Sequence, residues 1–108
     1  MHRPPHEVVV SALREAVEGL HRCKAKYQGS EHVKEEFRGE PVWEGDVHTF
    51  ALPGHATARE CFAWSAPVGD THNRRFFAVL KLGPIQSARD AVRASIVQAY
   101  RDTTKGEM

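Results

Sequence analysis

Apolar residues recur at intervals of three or four between about residue 7 and residue 28: Val9, Leu13, Ala16, Leu20, Cys23 and Tyr27. This spacing places them on one face of a helix. Val10 and Val17 widen the stripe, while Arg14, Glu15, Glu18, Arg22 and Lys26 fall outside it. Gly29 stands where the helix is expected to stop. The same repeat is that of a coiled-coil seam, so Leu13 and Leu20 are candidate contacts between two copies of the chain.

After residue 30 the period changes to two. Val33, Glu35 and Phe37 alternate with His32, Lys34 and Glu36, which predicts a short, half-exposed strand. The helical propensity of Glu and Lys leaves a helix over 31–37 as the alternative. Arg38-Gly39-Glu40 reads as a turn, and Val42 to Leu52 as a second strand. Strict alternation along it sends Trp43 to one side and Phe50 and Leu52 to the other, so a bulge at Glu44-Gly45-Asp46 is expected to bring them together. Pro53-Gly54-His55 forms the next turn. A third strand over about 58–65 carries Phe62 and Trp64 on one side and Arg59, Cys61 and Ala63 on the other, with a short helix over 55–64 as the competing reading. Arg74 to Leu82 is apolar on both sides and reads as a strand that is central in the sheet or covered on both faces. Ser87 and Asp90 form a capping pair for a last helix, whose stripe is Ala88, Ala91, Val92, Ser95, Ile96 and Ala99.

These elements add up to an α+β fold. The expected form is a two-layer sandwich, with an antiparallel three- or four-stranded meander over about 32–82. An N-terminal helix (about 7–28) and a C-terminal helix (about 87–101) flank it. Residues 7–102 make one domain, with a loose lead-in at 1–6 and a loose tail at 103–108.

Composition narrows the function classes. The 108 residues, 41% hydrophobic and 27% charged, are those of an ordinary soluble globule. No apolar run is long enough to span a membrane and no signal-peptide core is present, so a cytoplasmic protein is expected. Two cysteines are too few for a disulfide framework. Net charge is only +1, but residues 73–108 hold seven basic and three acidic side chains. Arg89, Arg93 and Arg101 share a helix face, and Arg74-Arg75 opens the preceding strand. Such a stripe could neutralise nucleic-acid phosphates.

Other chemistry is sparsely represented. Cys23, Cys61, His21, His32, His48, His55 and His72 are residue types that suit zinc, but no ligand spacing appears, so neither metal nor cofactor is expected. Cys61 with His48 or His55 is the weak candidate for a cysteine–base pair. Glu44, Asp46 and Glu60 could meet across the second and third strands. Phosphate-binding and dinucleotide-binding glycine motifs are absent from the sequence.

The order helix, antiparallel strands, helix resembles that of double-stranded-RNA-binding domains. Pro53-Gly54-His55 is similar to their turn between the first two strands, and Ser87-Ala88-Arg89 sits where their last helix starts. Ala88 replaces a phosphate-binding lysine of that pattern, the hairpin before the last helix is longer, and a fourth strand is counted. Shared topology implies an expectation about fold and does not establish function.

The aromatic residues Trp43, Phe50, Phe62, Trp64, Phe76 and Phe77 exceed what one face of a small sheet hides easily. An uncovered second face would form an apolar patch, which makes Trp43 and Trp64 candidate interface residues beside Leu13 and Leu20. The expectation is therefore a small, non-enzymatic interaction module that associates with itself or with another protein. The alternative is a nucleic-acid-binding domain using Arg74, Arg75, Arg89, Arg93 and Arg101.

Overall fold

The computed structural model describes the backbone of residues 6–67 and 73–106, and the side chains of 7–67 and 73–99. Six elements follow in order: α1 (His6–His21), β1 (Lys26–Phe37), β2 (Glu40–Ala51), β3 (Glu60–Pro67), β4 (Arg74–Leu80) and α2 (Ala88–Gly106). The strands form one open antiparallel sheet in the order β1-β2-β3-β4. The α+β class, the meander and the two terminal helices are those that the residue pattern predicts.

The layering differs from the expected two-layer sandwich. Along β3, Cys61 and Ala63 pack with Leu13 and Val17 of α1, joined by Phe50 and Leu52 from the β2 end of the sheet. Phe62 and Trp64 point the other way and pack with Ala88, Ala91 and Val92 of α2, joined by Val33 and Val47. Alternate residues of a strand face opposite sides, so the helices cover opposite faces and the sheet is the middle of three layers. Strand β4 behaves likewise, with Ala78 and Leu80 on the α1 side and Phe77 and Val79 on the α2 side. Of the two expectations for this strand, cover on both faces is what the structure shows; it is not central but lies at the sheet's edge.

This arrangement removes the need for a bulge at Glu44-Gly45-Asp46. The β1–β2 ladder runs unbroken through Lys34↔Glu44, Val33↔Gly45 and His32↔Asp46. The apolar residues of β2 change sides because each end of the strand meets a different helix. The bulges lie instead at Gln28 and Val42, where the register shifts between Tyr27 and Gly29 and between Glu35 and Glu36. The β1–β2 connection is a two-residue turn with Arg38 at φ 54° and Gly39 at φ 80°, the left-handed pair that a tight hairpin requires.

The first helix is shorter than the expected 7–28. It ends at His21, with Arg22 in a left-handed conformation at φ 52°. The Glu18 carboxylate accepts the Ala25 N–H at 2.9 Å and fixes the exit of the chain. Cys23 and Tyr27 still pack against the α1 cluster, but from the connection and from β1. Residues 31–37 are strand, and the 55–64 helix gives way to a turn followed by β3. In that turn the His55 N–H reaches the Leu52 carbonyl at 3.1 Å, with Pro53 and Gly54 (φ 84°) between them. Helix α2 starts as expected, with Ser87 Oγ accepting the Asp90 N–H at 3.1 Å and Asp90 accepting the Gln86 N–H at 3.0 Å. It continues to Gly106, past the expected end near 101.

Beyond the four residue pairs His48–Ala51 with Glu60–Ala63, the β1–β2 and β3–β4 hairpins part. Trp43 spans the separation on the α2 side and meets Trp64 edge-on at 6.0 Å between ring centroids. Trp64 in turn stacks on Phe77 at 5.1 Å. Gly45 makes room for this row, because a Cβ there would stand 3.1 Å from the Trp43 ring. Gly45→Val is expected to displace Trp43 and cost about 1–3 kcal/mol, read as a lower urea midpoint with altered tryptophan fluorescence; an unchanged midpoint would show that the indole can move freely.

Candidate functional site

The two edges of the sheet are finished differently. The Lys81 N–H meets the Glu60 carbonyl at 3.0 Å, and the Leu52 N–H meets the Arg59 carbonyl at 2.8 Å. Hydrogen-bonded pairs alternate along antiparallel ladders, so these two bonds set which backbone groups face outward. On β4 they belong to Arg74, Phe76, Ala78 and Leu80. The His21 ring N–H donates to the Ala78 carbonyl at 3.1 Å, and the Leu82 N–H takes the Leu80 carbonyl at 3.0 Å. On β1 the outward groups belong to Ser30, His32, Lys34 and Glu36, and among the described residues none of these backbone groups meets a partner. Edge strands left open are templates for another strand.

Two charged clusters flank this open edge. On the α1 side, His32 lies between two carboxylates of β2, with Nε2 2.6 Å from Glu44 and Nδ1 3.0 Å from Asp46. The register places His32 opposite Asp46 and beside Glu44. Both ring nitrogens donate when the ring is an imidazolium. The hydrogen bond to Glu44 and then that to Asp46 raise the His32 pKa, and the bond to His32 lowers that of Glu44. On the α2 side, Glu35 is 6% exposed and receives Arg93 Nε at 2.9 Å, with Arg89 Nε at 3.3 Å. Four-residue spacing brings both guanidiniums to the same carboxylate. This pair ties α2 to β1 and satisfies a carboxylate that would otherwise be buried alone.

The cysteine–base candidates do not make a nucleophile. Cys61 is fully buried, and burial pushes its thiol up to about 12. His48 is buried on β2, its ring 6.1 Å from that of Tyr27. His55 Nδ1 accepts the N–H groups of Thr57 and Ala58 at 3.1 and 3.0 Å, which commits the ring to its turn. Glu60 does not join Glu44 and Asp46, because it pairs with Lys81 at 3.3 Å. Among the described residues no group of three or more His, Cys, Asp and Glu side chains is arranged to hold a metal ion. His72 lies outside the described residues.

The arginines are engaged by the protein itself. Arg74 donates to Ser65 through Nε at 2.9 Å and Nη2 at 3.2 Å, and Arg75 lies over the Phe77 ring at 5.1 Å. Arg89 and Arg93 meet Glu35 on β1, about 14 Å from β4 by strand spacing. The side chain of Arg101 lies outside the described residues. Of the apolar interface candidates, Leu13 and Trp64 are core and Trp43 packs against the α2 cluster, while Leu20 is 61% exposed. Pro53-Gly54-His55 joins β2 to β3, not the first two strands, and four strands are present.

Residue patterns picked out Glu44, Asp46, Arg89 and Arg93, but not Glu35 and not the two clusters these residues form. The signal was present: Glu44 and Asp46 are two apart on one strand face, opposite the alternating His32. Only the register between β1 and β2 joins them. No protein-family model matches the chain, and neither a curated protein nor a solved structure matches it. Among the described residues no helix is long and apolar enough to cross a membrane.

The clamp around His32 should show in stability against pH. The raised His32 pKa gives a contribution complete below its ordinary value of 6.5 and lost as pH climbs through the folded value. The lowered Glu44 pKa gives one present above 4.5 and lost as pH falls through the folded value. Urea midpoints of the native protein should therefore exceed those of His32→Gln most between these two values, with the gap closing at alkaline pH. A gap independent of pH would remove the ionic account.

Native-state alkylation resolved by mass is expected to label half-buried Cys23 first and Cys61 only on unfolding. Preferential native labelling of Cys61 would restore it as a nucleophile.

Proposed function

We propose that this protein is a small, non-enzymatic interaction module that associates with a second copy of itself. The observation that carries the reading is the contrast between the two sheet edges. Strand β4 is closed in part by His21 and Leu82, whereas β1 presents twelve residues of edge strand with charged clusters on either side. An edge open at Ser30, His32, Lys34 and Glu36, in a fold that takes the Ala78 and Leu80 carbonyls of the opposite one, is suited to receiving another strand.

The second face of the sheet is occupied by α2, so it offers no broad apolar surface for a partner. Leu13 lies in the core, which leaves Leu20 as the exposed apolar residue of the α1 seam. Neither the buried thiol nor the separated arginines supplies a competing chemistry of equal strength.

Native mass spectrometry of the full chain, purified without denaturant, tests the proposal. A species at twice the chain mass of 12.1 kDa is expected. A monomer at every concentration up to the solubility limit would overturn it, and excess mass from nucleic acid would point to the arginines instead.

A further inference from the structure

We infer that two copies of the chain join edge to edge through β1, antiparallel, about a two-fold axis at Val33, so that two four-stranded sheets become one. The inference rests on the self-association proposed above and names its surface. The outward backbone groups of β1 belong to alternate residues: Ser30, His32, Lys34 and Glu36. In a two-fold antiparallel ladder these must pair with one another, which leaves few registers. An axis at His32 sets that ring against the partner's His32. An axis at Lys34 sets the ammonium against the partner's Lys34. An axis at Val33 avoids both self-pairs but sets His32 opposite the partner's Lys34 and Glu31 opposite the partner's Glu35, so the net charge around each of these positions decides.

The net charge of each cluster favours this register on both faces. On the α2 side, Arg89 and Arg93 share the single carboxylate of Glu35, leaving one positive charge in excess. The Val33 axis brings Glu31, exposed on the same face of β1, opposite the partner's Glu35 and its two arginines. On the α1 side, Glu44 and Asp46 leave one negative charge in excess even when the His32 ring between them is protonated. The axis brings the partner's Lys34 opposite His32 and beside those carboxylates, where it would exchange its exposed 3.4 Å pairing with Glu36 of its own chain for them. Each match occurs twice by symmetry. The same register sets Phe37, 64% exposed, opposite the partner's Gly29, where a Cβ would meet nothing within 4 Å. An aromatic ring lying across a glycine of the neighbouring strand covers backbone that would otherwise be solvated.

Sedimentation velocity and native mass spectrometry of variants test the edge. Lys34→Pro removes an outward N–H that β2 does not use, and an edge strand accepts proline at such a position; the expected product is a folded monomer. Glu31→Lys, at an exposed site, places a third positive charge beside the partner's two arginines and should weaken the dimer by roughly tenfold or more at low salt. Leu20→Asp should leave the dimer intact. Amide exchange at Ser30, His32, Lys34 and Glu36 should slow with rising concentration in the native protein. A native chain that stays monomeric sinks the self-association reading and this inference together. A native dimer that both β1 variants retain, or that Leu20→Asp alone dissolves, overturns the edge and leaves self-association standing.

Discussion

A sheet whose strands carry large apolar side chains on both faces must be covered twice, and this requirement shapes the whole molecule. Phe62 and Trp64 leave β3 on one side while Cys61 and Ala63 leave it on the other. Each terminal helix takes one face. Because α1 and α2 approach different ends of the sheet, β2 can bury Val47 on one face and Phe50 on the other without a bulge. The row formed by Trp43, Trp64 and Phe77 then closes the separation between the two hairpins, with Gly45 giving the first indole its place.

The polar structure follows from that coverage. Helix α2 lies over the part of β1 that carries Glu35, and a carboxylate buried there needs positive partners. Arg89 and Arg93 supply them from successive turns. On the opposite face, α1 leaves the outer part of the β1–β2 hairpin in solvent, and the cross-strand positions fill with His32, Glu44 and Asp46. Such exposed ionic contacts contribute little stability individually. Their position beside an open edge gives them a role in selecting what can pair there, since charge complementarity sets register and rejects alternatives more than it adds affinity.

The chemistry that the sequence suggests is largely absorbed by the fold. Cys61 behaves as a small core side chain, as free cysteine commonly does. His55 organises a turn, and His21 takes an edge carbonyl. The helix seam that joined Leu13 and Leu20 divides, because one faces the sheet and the other lies beyond its cover. Burial was legible for Cys23 and Tyr27, but the reason was not. A spacing of four serves helix periodicity and also suits residues that return to one cluster from the connection and from a strand. The end of α1 depends on Arg22 adopting a left-handed conformation, for which an arginine gives no local signal.

Periodicity, turn residues and capping pairs were sufficient to determine the element order, the antiparallel meander and most of the α2 stripe, because each depends on neighbours close in the chain. The apolar character of Arg74–Leu82 on both sides pointed to a central place or to cover on two faces, and only the packing chose between them. Tertiary structure decided which helix took which face, since that depends on the paths of the connections and on where each stripe finds apolar area. It also decided register, and register alone unites His32 with Glu44 and Asp46, and Glu35 with two arginines nearly sixty residues away. Contacts of that sequence separation leave no periodic trace, so the edge they flank becomes visible only when the strands are paired.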